Sequence, residues 1–314
     1  MKFRFWGVRG SLPCPPSPEA LKAKISAILQ RVRPVDLGGP EARERFMASL
    51  PPDLFGTVGG NTTCFEVGAT PEEVLVIDGG TGLRELGTSH EVHNPGGKHY
   101  HLFFTHFHWD HIQGLPFFPA LFLEKNRVTF YSPMRGFETW IRSQMREPFF
   151  PVPLTAFPAR MRFVELTGEQ VTVAGTTVRW KKVNHPGSCF CYRFDRGGQS
   201  VVFSTDTELR LEDFAQIEEN QSFYDGIDVL VLDAQYTLDE AIDRTDWGHS
   251  SSSMAVDFAL AFNVKTLYLF HHEPSHDDAK IEEIGRLAQW YADHKSPETL
   301  RVLVAREGRE EEIT

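Results

Sequence analysis

Residues 105–111 read Thr-His-Phe-His-Trp-Asp-His, placing His106, His108, Asp110 and His111 within six positions, directly after the apolar run His-Leu-Phe-Phe at 101–104. Imidazole and carboxylate together suit borderline divalent cations such as zinc, manganese and iron. On an extended segment, residues two apart project to the same side, so His106 and His108 can converge on one ion. The chain must then turn, because Trp-Asp-His-Ile-Gln-Gly-Leu leads toward a helix. That turn can swing Asp110 and His111 to a second ion. A lone histidine would read as an ordinary core or surface residue; four potential ligands at one strand end read as a metal centre.

So short a motif holds too few ligands for two ions, and more are expected at comparable strand ends. His185 follows Arg-Trp-Lys-Lys-Val-Asn and precedes Pro186-Gly187. Asp206 closes Val-Val-Phe-Ser-Thr-Asp, and its carboxylate can bridge two ions. His271 follows Thr-Leu-Tyr-Leu-Phe. Each ends an apolar run and opens a loop, where α/β architectures commonly place function.

The elements that must position these residues follow from hydrophobic periodicity. Short apolar runs predict strands at 2–8, 63–67, 73–78, 101–105, 127–131, 177–183, 189–194, 200–205, 228–233 and 264–270. Amphipathic patterns predict helices at roughly 18–32, 134–146, 209–219, 251–262 and 277–295. Early strands followed by mixed strands and helices suggest sheets packed together with helices outside. Residues 12–58 differ in texture, running from Pro-rich Leu-Pro-Cys-Pro-Pro through a helix and a Gly-Gly-Pro break. They are read as a helical insertion after the first strand, within a single domain spanning 1–314. A lid or partner surface and a plain decoration are equally open readings of it.

Composition narrows the function classes. The chain has 314 residues and a formal charge of −11, so it carries no overall basic field for long nucleic acid. No apolar run approaches the roughly 18 residues needed to span a membrane, and the N-terminus is too short and polar for a signal peptide. A cytoplasmic protein without membrane partners is expected. Cys14 and Cys64 are isolated and Cys189 and Cys191 form a C-x-C; with no second pair at zinc-finger spacing, all four are expected as free thiols.

His-x-His-x-Asp-His at 106–111, followed in order by His185, Asp206 and His271, resembles the metallo-β-lactamase superfamily of binuclear metallohydrolases, over about Phe3 to His271. The resemblance implies an α/β fold, an αββα sandwich with the site along one edge, and two divalent ions, zinc first with manganese or iron as alternatives. Carried across by position, His106, His108 and His185 hold one metal, Asp110, His111 and His271 the other, and Asp206 is shared. Asp78, before Gly79-Gly80, matches the family's first motif, whose aspartate holds the metal-site loop without ligating. His271 occupies the family's last strand-end position; a one-residue slip in register would substitute His272. His276, Asp277 and Asp278 are read as the start of the last helix.

Membership of such a superfamily leaves the reaction open. Gly-His-Ser at 248–250, with Val-Leu-Val-Leu-Asp-Ala-Gln-Tyr at 229–236, looks like the late motifs of the phosphodiesterase branch, which includes tRNA 3′-processing endonuclease and small-molecule phosphodiesterases. In that branch a histidine lies near the leaving-group oxygen and an acidic residue orients it. His249 and Asp233 fit those roles, although the branch usually carries glutamate at the second. The competing reading makes His249 a helix N-terminal residue beside the capping serines 250–253. Two ions about 3.5–4 Å apart can generate a bridging hydroxide near neutral pH and clamp phosphoryl oxygens, with Asp110 counted in the catalytic set. A histidine can supply the leaving-group proton, an effect of roughly 10²–10⁴-fold.

Gly-Val-Arg-Gly-Ser at 7–11 and Gly-Gly-Asn-Thr-Thr-Cys at 59–64 look like early loops of the same hydrolases. Gly59 and Gly60 would let backbone amides approach a ligand, with Arg9 and Asn61 as substrate contacts; the alternative is Asn61 buried and bonding its own loop. The protruding Gly/Pro arm of tRNA-processing members has no counterpart. Trp109, Phe117, Phe118, Phe122, Phe149 and Phe150 surround the metal motif, most expected in the core and one or two free to stack on a base. A small or cyclic phosphodiester is therefore the expected substrate. A thioester or lactone hydrolase and an RNA-processing nuclease are the alternatives; the oligomeric state is left open, with a homodimer suggested by analogy alone.

Overall fold

Alternation along the strands decides the layering. In β3 (Glu73–Ile77), Leu75 and Ile77 face one cluster of buried side chains while Val74 and Val76 face another, so the strand is covered on both faces. The computed structural model describes residues 1–68, 70–93 and 96–313. In its first half β3 stands among β1 (Lys2–Gly7), α1 (Pro18–Leu29), α2 (Pro40–Ala48), β2 (Cys64–Gly68), α3 (Gly82–His93), β4 (His99–Phe103), α4 (Trp109–Ile112), β5 (Arg127–Ser132), α5 (Phe137–Gln144) and β6 (Arg160–Glu165). The second half holds β7 (Gln170–Val173), β8 (Thr176–Val183), β9 (Cys189–Arg196), β10 (Gln199–Ser204), α6 (Glu218–Tyr224), β11 (Val229–Asp233) and α7 (Leu238–Asp243). It closes with α8 (Ser252–Ala261), β12 (Thr266–Phe270), α9 (Asp278–Lys295), β13 (Arg301–Val304) and β14 (Glu310–Glu312).

Two sheets result, in strand order β14-β1-β2-β3-β4-β5-β6 and β13-β12-β11-β10-β9-β8-β7. Each is antiparallel at one end and parallel at the other: β3 to β6 run parallel in the first, β10 to β13 in the second. Between the sheets lies an aromatic core of Phe3, Phe5, Phe65, Phe103, Phe203 and Phe270. Phe65 of one sheet stacks on Phe203 of the other at 5.0 Å. Burying each such ring is worth about 1.5–3 kcal/mol. Leu83 and Leu86 of α3 and Phe137 and Ile141 of α5 cover the outer face of the first sheet. Val256 and Phe258 of α8 with Ile284 and Ala288 of α9 cover the second. The arrangement is the αββα sandwich.

Some elements depart from the sequence expectation. Residues 209–219 hold a 3-10 turn at Leu211–Phe214 and only the start of α6. α3 is absent from that expectation, because Gly82, Gly87, Thr88 and Ser89 are weak helix formers; burial of Leu83 and Leu86 overrides them. The charged edge strand β6 is absent too, Arg and Glu masking the contacts of Met161 and Phe163 with the outer core. α1 and α2 occupy the 12–58 stretch between β1 and β2 and bury none of their own residues. Lys24 ties α1 to Asp278 and to the Gly56 carbonyl. Among the described residues, no helix is long and apolar enough to cross a membrane.

Candidate metal centre

Both parallel runs point their carboxyl ends at one edge of the sandwich, the location where open α/β sheets bind ligands. Asp78 follows β3, the His106–His111 turn follows β4, Asp206 follows β10, Asp233 ends β11 and His271 follows β12; His185 lies between β8 and β9. Asp78, Asp206 and His271 have φ of 60°, 48° and 62°, in the left-handed region. Each such residue costs on the order of 1–3 kcal/mol and persists only where its surroundings over-determine it.

Here the surroundings are other site residues. One ligand atom from each of His106, His108, His185 and Asp206 lies within 4.8 Å of the others, and the same holds for Asp110, His111, Asp206 and His271. Asp206 divides its oxygens between the two groups. Its Oδ1 is 3.1 Å from His111 Nε2 and 3.2 Å from His271 Nε2, while Oδ2 is 3.6 Å from both His106 Nε2 and His185 Nε2. Asp110 Oδ2 approaches His111 Nε2 at 3.2 Å and His271 Nε2 at 3.5 Å, and accepts the Ser11 N–H at 2.9 Å.

The far side of most of these imidazoles is engaged. His111 Nδ1 meets Asp78 Oδ2 at 2.8 Å, His185 Nδ1 meets the Gly248 carbonyl at 2.9 Å, and His271 Nδ1 meets Gln235 Oε1 at 3.2 Å. Asp78 also accepts the amide and hydroxyl of Thr105, fixing the start of the motif turn to the end of β3. The inward nitrogens are different. Nε2 of His106, His111 and His271 are buried with no hydrogen-bond partner, at a cost of about 1–3 kcal/mol each if left so. Three orphaned imidazole nitrogens facing a shared carboxylate fit a pair of divalent cations.

Electrostatics agree with that fit at His106, His108, His185 and Asp206. Burial pushes His106, His108 and His185 below the usual imidazole range, leaving them neutral. Burial would neutralise Asp206 as well, but His111, His271 and His106 outweigh it and hold the carboxyl well below its usual range. His111 goes the other way, because Asp206, Asp110 and Asp78 overcome its burial.

His249 stands beside the cluster, its ring stacked on His271 at 5.0 Å and 5.3 Å from His185. Its Nδ1 is 2.7 Å from Asp233 Oδ2, and Asp233 Oδ1 accepts the amides of Ser250 (3.0 Å) and Gln235 (3.2 Å). Burial lowers the imidazolium, but Asp233 outweighs it and the group is pushed up to about 9. Helix capping falls to Ser251, whose side chain accepts the Met254 N–H.

Two expected substrate contacts are placed otherwise. Arg9 is buried, donating to the carbonyls of Gly59 (2.8 Å), His276 (2.8 Å) and Glu273 (3.3 Å), so its guanidinium fastens loops. Asn61 donates from backbone and side chain to Glu307 and accepts the amides of Val8 and Arg9. Gly59 and Gly60 serve packing: a β-carbon would collide with Glu307 at the first and with the Cys14 carbonyl at the second. His272 turns away from the cluster, its Nε2 lying 2.9 Å from the Ala305 carbonyl. Asp277 caps α9 and Asp278 begins it, but His276 pairs with Glu240 at 2.9 Å. Of the six aromatics expected mostly in the core, only Phe118 is fully buried; Trp109, Phe117, Phe122 and Phe149 are exposed. All four cysteines are free. Thr105 and Gln235, which orient site residues, are not among the sequence candidates, although both sit beside motif residues in the chain.

A family model described as a beta-lactamase superfamily domain matches residues 74–272. A ribonuclease Z from Picrophilus torridus is 33% identical over 86 residues, 27% of this chain and 25% of that protein, so the match spans about a quarter of the relative's length. Among solved structures, a diphosphatase from the PhnP family has a TM-score of 0.64 at 17% identity, over 100% of this chain and 98% of that one. The metallo-beta-lactamase fold protein YhfI from Bacillus subtilis has a TM-score of 0.63 at 15% identity, covering 99% and 98%. The short form of human tRNase Z has 0.59 at 16%, covering 100% of both. At these identities the structural likeness speaks for the fold.

Proposed function

The chain belongs to the beta-lactamase superfamily, and on that footing we propose that it is a binuclear metal-dependent phosphodiesterase acting on a small or cyclic phosphodiester. The observation that carries the reading is the His249–Asp233 pair, 2.7 Å apart and packed against His271 and His185 of the cluster. His106, His108 and His185 would hold one ion, Asp110, His111 and His271 the other, and Asp206 both, zinc being the first candidate. When bound, such ions supply Lewis acidity toward phosphoryl oxygens and acidify water.

The protein's own residues supply the rest. Asp233 is fixed by two backbone amides and holds the Nδ1 proton of His249, so Nε2 is the nitrogen left for substrate. Asp233 outweighs burial and holds the His249 imidazolium up at about 9, favouring the doubly protonated ring. As a water oxygen bonds to phosphorus and the opposite P–O bond breaks, the Nε2 proton passes to the departing alkoxide, and the proton shed by the water returns through solvent to Nε2. A thioester or lactone hydrolase needs that donor less. Trp109 and Trp247, 79% and 62% exposed, adjoin site residues in the chain and offer flat faces for a base or aryl group.

Hydrolysis rates of metal-replete protein across a bis-aryl phosphodiester, cyclic mononucleotides, linear dinucleotides, a 3′-extended RNA and thioesters test the reading. Preferential turnover of the small phosphodiesters is expected. Faster thioester hydrolysis would overturn it. The ribonuclease Z relative favours a second reading, RNA 3′-end processing, which preferential cleavage of the RNA would establish instead.

A further inference from the structure

A second histidine-carboxylate cluster lies at the opposite, amino-terminal end of the parallel strands. Glu73, His99 and Arg127 are the first residues of β3, β4 and β5 and stand in register, with His101 two residues further along β4. His99 and His101 share a face of β4 with Phe103, which belongs to the core between the sheets. One ligand atom from each of Glu73, His99 and His101 lies within 4.8 Å of the others.

The orientation within the cluster is specific. Glu73 Oε2 is 2.6 Å from His101 Nε2 and 3.2 Å from His99 Nδ1, so both imidazoles turn a nitrogen toward the same carboxylate oxygen. The other nitrogens are held from behind: His99 Nε2 by Thr129 Oγ1 at 2.8 Å, and His101 Nδ1 by Tyr131 Oη at 3.0 Å. Metal-bound histidines commonly have their second nitrogen anchored to an oxygen in this way. Arg127 lies 3.8 Å from the other oxygen, Glu73 Oε1, leaving Oε2 to the histidines. The ring centroids are 3.9 Å apart, too close for both rings to be comfortably cationic. His101 is buried, whereas His99 and Glu73 keep some solvent contact, which leaves an approach for a fourth, water ligand.

We propose that Glu73, His99 and His101 form a separate binding site for a single divalent transition-metal ion, with zinc-type chemistry: two imidazole nitrogens and one carboxylate oxygen. Burial agrees, holding His99 down at about 4 and His101 below its ordinary value, so neither proton competes with a metal at neutral pH. An ion there joins the starts of β3 and β4 and takes no part in hydrolysis.

The test counts zinc on the full chain by elemental mass spectrometry after dialysis against micromolar free zinc, comparing the unaltered protein with His99→Gln and Glu73→Gln. Each variant is expected to hold about one equivalent fewer per chain, to lose part of the cobalt(II) visible spectrum, and to keep its turnover of the bis-aryl phosphodiester. Equal zinc content in variants and parent overturns the proposal. The readout is a difference, so an empty or single-ion catalytic cluster lowers all three proteins alike and leaves the comparison intact. If His99→Gln fails to fold, Glu73→Gln, which keeps the shape of the side chain, gives the same reading.

Discussion

His249 has one nitrogen committed to Asp233, and this fixes what its removal should do. His249→Ala is expected to lose roughly 10²–10⁴-fold in kcat on a phosphodiester with zinc content intact; undiminished kcat would remove the proton-donor role. Asp233→Asn should lower kcat as well and move the alkaline limb of the pH–rate profile to lower pH, because the carboxylate that sustains the imidazolium is gone. Glu307 supplies a pH effect on stability. Burial pushes its carboxyl up to about 7, against the opposing Asn61 donors and Arg9. The folded state thus prefers the protonated form, so this contribution is full below the unfolded value of about 4.3 and disappears as pH rises through about 7. Urea midpoints at pH 5 and pH 8 should fall more steeply for the parent than for Glu307→Gln. At this scale the sequence is legible where chemistry dictates residue type: histidine and aspartate gathered at strand ends serve few purposes besides holding a cation. It is not legible for Arg9, whose partners are carbonyls at 59, 273 and 276, a choice made by tertiary packing.

At the scale of elements, the motif turn is locked to the end of β3 through glycine contacts. The Gly79 amide donates to the His111 carbonyl at 2.7 Å and the Gly114 amide to the Gly79 carbonyl at 2.9 Å. A β-carbon on Gly114 would overlap the Gly80 carbonyl, backbone against backbone, with no side chain able to yield. Gly114→Ala should therefore cost about 3 kcal/mol, the upper part of the usual overpacking range. It should also weaken zinc binding, read by chelator competition; unchanged midpoint and affinity would mean that the turn tolerates displacement. Strands with long apolar runs are readable because burial on both faces leaves few polar residues in them. β6, β7 and β14 lie at sheet edges, where polar and charged side chains are tolerated and the run is broken. α3 depends on two leucines and a sheet beneath them, which no local propensity reveals.

At the scale of the molecule, charge and metal dominate. With a formal charge of −11, binding to long RNA should be weak at physiological salt, measurable by fluorescence anisotropy as a millimolar-range or absent interaction. Chelation should lower the thermal midpoint. A divalent cation at a thousand times its dissociation constant would contribute about 4 kcal/mol per site, on the order of 6 °C for a chain this long, and differential scanning calorimetry with and without chelator checks it. The seven clustered side chains come from both sheets: His106, His108, Asp110 and His111 from one, His185, Asp206 and His271 from the other. A cation gripped by them rivets the two slabs. Its escape into excess chelator is then a gauge of how often the slabs part, and substitutions that loosen the aromatic filling between them should quicken that leak even far from the rivet.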